Sequence, residues 1–297
     1  MTTSVLYDAP GPRSKRRVLI SSLFAGVLFL AVLVLVGLRL EKQDQFAGDK
    51  WAPLFDPGHR RFQQVWTLLG DALVNTLTAA ALAVVFSLII GTLLAVARIA
   101  AGKSYRWLLV GFIELFRGIP VVIMIFFAAR VLPELGVDLP TLWFLVIGLT
   151  AYNSVVIAEI VRAGVNSLPK GQREAAESLG MRRSQVLSLV LLPQAFRAML
   201  PALISQLVVV LKDTSLGFII SYDETVRTAG IIIQNLKNPI QVYLLVAVIF
   251  ILVNYALSRL AIYVERRLSQ GKKAVVVDGE TATLPANDVT TPGTGGG

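Results

Sequence analysis

The chain has 297 residues, of which 55% are hydrophobic, with a mean hydropathy of +0.68 and a net charge of +9. Soluble domains contain about 45–50% apolar residues, so this composition indicates a membrane protein. The sequence contains no cysteine, which excludes disulfides, thiolate nucleophiles and cysteine–zinc sites.

Apolar runs of about 20 residues, the length that crosses a bilayer as a helix, recur along the chain. They lie near residues 18–38, 72–97, 107–131, 140–161, 198–221 and 240–262. The alternation typical of strands is absent. We therefore predict an all-α polytopic membrane protein with about six transmembrane helices.

The first apolar run follows a basic segment, as in a signal peptide. It is longer than a signal-peptide core and no A-x-A cleavage site follows it, so we predict a retained helix. Most Lys and Arg residues flank the runs on the side that is cytoplasmic if both termini are inside. We therefore predict a multi-pass protein of the plasma (inner) membrane with both termini in the cytoplasm. Its basic charge then faces anionic lipid, and no nucleic-acid partner is expected.

These features divide the chain into five segments. They are a basic cytoplasmic tail (1–17), an extra N-terminal transmembrane helix (18–38), an extracytoplasmic loop with an interfacial helix (39–71), the main transmembrane domain (72–262) and a cytoplasmic tail (263–297). Apolar residues at helical spacing within 60–73 predict the interfacial helix. The last segment is rich in Thr, Pro and Gly from about residue 274, which predicts disorder from that point.

A predicted cytoplasmic loop, residues 163–193, contains a distinctive spacing of small, acidic and helix-ending residues. The residues of this spacing are Glu174, Ala175, Ala176, Gly180, Leu192 and Pro193. Pro169 suits a first helical turn and Gly180 suits a helix stop. We expect a second short helix over 185–192, ended by Pro193.

This spacing resembles the EAA-x3-G-x9-I-x-L-P pattern of the permease subunits of type I ABC importers, with Val190 in place of Ile. Three further segments resemble signatures of permeases for polar amino acids, in the same order along roughly 72–262. These segments are Asn75-Thr76-Leu77, Phe116-Arg117-Gly118-Ile119-Pro120 and Leu211-Lys212-Asp213-Thr214-Ser215-Leu216. The opening residues and the extra first helix are most similar to the actinobacterial glutamate permeases.

The resemblance implies the MetI-like permease fold and a transport subunit that is not itself an enzyme. It also implies no catalytic, cofactor or metal site in this chain, because a dimer of separate ATP-binding subunits uses the ATP and Mg and contacts the loop. The further partners implied are a second related permease chain or a copy of this one, and an extracytoplasmic amino-acid-binding protein. The substrate implied is a polar amino acid, with glutamate as the best guess.

Charged and polar residues inside apolar runs are candidates for the transport pathway, and each charged one costs about 2.5–3.5 kcal/mol in the membrane. The candidates are Asn153, Lys212, Asp213, Thr214, Ser215 and Arg117. Ammonium, carboxylate and hydroxyl groups suit a zwitterionic solute, although a structural role remains open. Adjacent helical residues point about 100° apart, so Lys212 and Asp213 cannot both face one point without distortion. Arg117 can pair with Glu114 at i, i+3, and Pro120 predicts a kink.

Other functions are less well supported by the residues. An ion-gradient-driven secondary amino-acid transporter could use Asp213, but the cytoplasmic loop would then have no purpose. Residues 97–104 lack the first glycine and the preceding strand of a phosphate-binding loop. The only histidine, His59, has no clustered carboxylates nearby in the sequence, so neither a metal site nor a membrane enzyme is indicated.

Overall fold

The computed structural model describes residues 11–269, which form α-helices joined by short turns, with no strand in that range. In chain order the helices are α1 Pro12–Glu41, α2 Gly48–Phe55, α3 Phe62–Ala100, α4 Lys103–Gly118, α5 Val121–Glu134, α6 Thr141–Ser167, α7 Lys170–Ser178, α8 Arg183–Gln185, α9 Leu192–Asp213, α10 Thr225–Leu236 and α11 Pro239–Ser269. A π-helical turn, Val186–Leu191, joins α8 to α9, and a 3₁₀ turn, Thr214–Ile220, extends α9.

Five stretches of helix are long and apolar enough to cross a membrane, and the pair α4–α5 forms a sixth when counted as one bent span. The all-helical prediction with about six spans is therefore confirmed. The kink expected at Pro120 is a 97° bend, so the run predicted near 107–131 is two helices. Proline favours this break because it cannot donate the backbone hydrogen bond that would continue α4.

Helix α6 is at the centre of the bundle and packs against α3, α5 and α9. Close approach depends on small residues at the contacts. A side chain at Gly148 of α6 would place its Cβ 2.5 Å from the Cα of Ile125 on α5. Since that neighbour is main chain and cannot move aside, glycine allows these two helices to meet.

The residues of the predicted interfacial helix, 60–73, lead into the second span, and α3 runs from Phe62 unbroken to Ala100. The last helix, α11, continues to Ser269, beyond residue 263 where the cytoplasmic tail is predicted to begin. The segment predicted to be disordered from about 274 lies outside the described residues.

The N-terminal segment contacts the bundle through α2 and not through α1. Leu54 of α2 is fully buried against α3, α10 and α11, and its carbonyl accepts a 2.9 Å hydrogen bond from the indole of Trp66. Helix α1 buries none of its side chains. The extra helix predicted from the sequence is therefore attached to the bundle at its C-terminal end, through α2, and its apolar side chains point away from the bundle.

Candidate coupling loop and transport pathway

The loop over 163–193, which we call the coupling loop, is built around a sharp turn after α7. Gly180 has φ +76°, in the left-handed region that favours glycine. The Gly180 amide donates to the carbonyl of Glu177, and the Met181 amide donates to the carbonyl of Ala176. This pair of bonds is the Schellman motif, which ends a helix by satisfying its last carbonyls. The helix stop predicted at Gly180 is present.

Helix α7 has one buried face and one exposed face. Ala176 is buried against Val186, Leu187 and Leu191, because its small side chain lets α7 lie close to the following π-helical turn. Glu174 and Ala175 are exposed. Leu179, just beyond the helix, is 83% exposed. Nothing in the described chain covers this face of α7.

The second half of the coupling loop differs from the predicted short helix over 185–192. The chain forms one turn of α8, then the π-helical turn, and continues into α9 without a break. Pro193 lies in the first turn of α9 and does not end a helix, because proline is tolerated where its missing amide is not needed. Leu192 packs partly against the core and Pro193 is exposed.

The charged residues of the fifth predicted run point in different directions. Lys212 is exposed and Asp213 is half-buried, and neither forms an ion pair with any residue in the described range. Thr214 is fully buried and donates to the carbonyl of Leu211 at 2.6 Å. Ser215 donates to the carbonyl of Lys212 at 2.7 Å. Lys212 and Ser215 thus share one side, as their spacing of three residues requires.

An open cavity of about 490 Å³ lies between α9 and α11 beside Lys212. Its lining residues are Lys212, Ser215, Val226, Ala247, Phe250, Ile251 and Asn254. The Asn254 amide donates to the carbonyl of Phe250 at 2.7 Å, while its buried Oδ1 has no partner among the described residues. Asn254 is not among the pathway residues predicted above, although its position inside an apolar run was an available signal.

The other pathway candidates have partners in this conformation. Asn153 is fully buried, and its Oδ1 accepts a 2.7 Å hydrogen bond from Gln206, which joins α6 to α9. Arg117 pairs with Glu114 at 2.8 Å, as its spacing predicts, and both side chains are about half exposed. The structure brings Lys212 and Ser215 to one cavity, but it does not bring Asn153 or Arg117 to that cavity.

A charged triad connects the C-terminal ends of α3 and α6. Glu159 accepts hydrogen bonds from Arg162 at 2.8 and 2.9 Å and also pairs with Arg98. Two arginines therefore share one carboxylate, and all three side chains are mostly buried. Arg98 could not be predicted as the third member, because it lies 61 residues from Glu159.

A second polar cluster joins the outer end of α3 to the segment before α10, and we call it the outer latch. The Asn75 amide donates to the carbonyl of Asp223 at 2.9 Å, and the Tyr222 hydroxyl donates to the carbonyl of Asn75 at 3.0 Å. The hydroxyls of Thr76 and Thr225 share a hydrogen bond of 2.9 Å, and the Thr225 amide donates to Thr76 at 3.1 Å. The Asn75-Thr76 signature therefore has a structural role at this end of the bundle.

The most apolar of the grooves in the described residues does not suit a polar solute. It has a volume of about 420 Å³ and lies between α3, α4 and α6. Its lining residues are Phe86, Ile90, Leu94, Phe112, Phe116, Trp143, Val146, Ile147, Thr150, Ala151 and Ser154. An amino acid with charged groups would lose its hydration there with little compensation. Within residues 11–269 no group of three or more His, Asp or Glu side chains could hold a metal ion.

Comparison with known proteins finds one family model and a set of related permeases. A family described as the binding-protein-dependent transport system inner membrane component matches residues 83–270. A glutamate transport system permease protein of Corynebacterium glutamicum is 41% identical over 237 residues, which cover 78% of this chain and 85% of that protein. A probable glutamine ABC transporter permease protein of Bacillus subtilis is 34% identical over 69% of this chain and 95% of its own.

Solved structures give the same result for the fold. A crystal structure of an amino acid ABC transporter with histidines matches 69% of this chain and 96% of its own, with 29% identity and a TM-score of 0.64. The relatives found give no support to an ion-gradient-driven transporter. The chain therefore belongs to the family of binding-protein-dependent transport system inner membrane components, and it is an amino-acid permease of an ABC transporter.

Proposed function

We propose that this permease imports an acidic amino acid, with glutamate as the leading candidate. Similarity to the Corynebacterium glutamicum glutamate permease supports this substrate class. Lys212 supports a substrate that has a carboxylate, since a lysine without an acidic partner in the described chain is costly inside an apolar span. A substrate carboxylate in the cavity beside Lys212 would supply the missing counter-charge, and Ser215 and Asn254 would add hydrogen bonds.

Coupling to ATP is proposed for the exposed face of α7. Leu179 and Ala175 would enter a groove on a separate ATP-binding subunit, and Glu174 would pair with basic groups at its rim. Ala176 fixes α7 to the bundle, so a displacement of α7 is passed to α6 and α9. Leu192 and Pro193, which begin α9, would move with it.

The complete importer would contain two permease chains, two ATP-binding subunits and an extracytoplasmic amino-acid-binding protein. The second permease chain would be a related protein or a copy of this one. ATP would drive the cavity from inward-facing to outward-facing because the ATP-binding subunits hold α7 differently with and without nucleotide. Both termini of this chain would lie in the cytoplasm.

The observation that carries the substrate assignment is the unpaired Lys212 beside its cavity. We would measure uptake of labelled glutamate, with competition by unlabelled amino acids, in vesicles that contain the whole importer. Lys212→Met should raise the KM for glutamate by about 10–100-fold, since a hydrogen bond to a charged group contributes about 1.5–3 kcal/mol. Basal ATP hydrolysis should be unchanged.

Lys237→Met is the matched control, because Lys237 is an exposed lysine outside the spans. It should leave the KM for glutamate unchanged. An unchanged KM in Lys212→Met would overturn the role of this lysine. Competition by neutral amino acids alone, and not by glutamate, would overturn the substrate class.

A further inference from the structure

Glu224 is the one charged residue that is fully buried within the outer latch. Its carboxylate accepts hydrogen bonds from the amides of Val226 at 2.8 Å and Arg227 at 2.7 Å, and so it caps the N-terminus of α10. Its neighbour Thr225 bonds to Thr76 of α3. The same few residues therefore bury a carboxylate, start α10 and attach α10 to α3.

The charged and titratable groups near Glu224 all belong to its own segment. Asp223 precedes it and pairs with Arg227 at 2.7 Å, and Tyr222 lies on its other side. The elements packed against this segment contribute uncharged groups in the described structure: Asn75 and Thr76 from α3, and Gly217 from the 3₁₀ turn.

Burial raises the pKa of Glu224 from 4.5 to about 7, although the two backbone amides and Arg227 oppose the shift. The carboxylate lies outside the membrane spans, at the end of the bundle that the proposed topology makes extracytoplasmic. Its burial depends on the latch, because separation of α10 from α3 would expose it to water.

We propose that Glu224 is a positioning residue of the outer mouth, whose protonated form holds α10 against α3 and whose ionised form favours release of the latch. The extracytoplasmic mouth would then open more readily as the external pH rises. This proposal depends on the proposed function in one respect, namely that the latch opens during a transport cycle.

The direction of this pH dependence follows from proton linkage. The closed latch raises the pKa of Glu224, so the closed form binds a proton more tightly than an open form in which the carboxylate meets water. Low pH therefore stabilises the closed latch, and this stabilisation is lost as pH rises from 4.5 through about 7. With a pKa of 4.5 in the open latch and about 7 in the closed latch, the equilibrium constant for opening increases about tenfold between pH 6 and pH 8.

The absence of native cysteine allows a direct test with a single reporter thiol. Thr228 is a buried residue of α10, so the thiol of Thr228→Cys reacts only when the latch opens. Gln234 is an exposed residue of the same helix, so Gln234→Cys measures the intrinsic pH dependence of the thiol and serves as the correction. The assay measures reaction with a membrane-impermeant thiol reagent in the full-length chain, co-expressed with its partner subunits, without substrate. The corrected rate should rise about tenfold between pH 6 and pH 8.

Adding Glu224→Gln to the reporter should make the corrected rate independent of pH, because the side chain keeps its shape but cannot ionise. Glu134→Gln removes an exposed carboxylate and should leave the rise intact. A flat profile in the otherwise wild-type reporter would overturn the proposal, even if Glu224→Gln fails to fold. A rise that persists in Glu224→Gln would also overturn it. Because no substrate is needed, a failure here is distinct from a failure of glutamate uptake.

Discussion

Replacement of Gly180 tests whether the turn of the coupling loop is needed for coupling. No atom lies within 4 Å of a Cβ added at Gly180, so the cost of a side chain comes from its left-handed backbone alone. That conformation costs an L-residue about 1–2 kcal/mol, which disfavours the native turn by about 5–30-fold. Asparagine tolerates this region better than other residues. We therefore expect coupling to decrease in the order Gly180→Asn, Gly180→Ala, Gly180→Val.

The assay for this series is the ratio of amino acid transported to ATP hydrolysed in vesicles that contain the whole importer. Gly171→Ala is the matched control, because Gly171 lies in α7 with ordinary helical backbone and open space. It should preserve coupling and favour the helix by about 1 kcal/mol. Wild-type coupling in Gly180→Val would refute the reasoning.

Two further substitutions test contacts between helices of the bundle. Glu159→Gln should lower the free energy of unfolding by about 3–5 kcal/mol, because Arg98 and Arg162 would lose their shared counter-charge. An unchanged thermal midpoint in detergent would contradict this. Gly148→Ala should lower the thermal midpoint in the same assay because its Cβ would meet the main chain of Ile125. Wild-type stability of Gly148→Ala would mean that the close contact between α5 and α6 does not exist.

Local sequence patterns were sufficient for the spans and for the turn of the coupling loop. Runs of apolar residues predict the spans because the bilayer sets their length. Gly180 was predictable because a helix that ends in a left-handed residue selects glycine. The Glu114–Arg117 pair was predictable for the same kind of reason, since both residues lie on one helix at i, i+3.

Contacts between distant segments were not predictable in this way. Asn153 has the pattern of a pathway residue, but its partner Gln206 lies 53 residues away and on another helix. Ala176 lies on the buried face of α7 because the π-helical turn packs against that face. The position of that turn is set by packing and not by helix propensity, so it was not predictable from the local sequence. Pro193 was expected to end a helix, although proline is equally compatible with a helix start.

The central claim is that the exposed face of α7 binds a separate ATP-binding subunit, and Leu179→Cys tests it most directly. The native chain has no cysteine, so this residue would be the only thiol that the permease contributes. Our account predicts a cross-link from position 179 to the ATP-binding subunit, with a yield that changes when ATP is added and with no cross-link from Gln234→Cys. The account is contradicted if position 179 stays accessible to a soluble thiol reagent in the assembled complex and forms no cross-link with or without nucleotide.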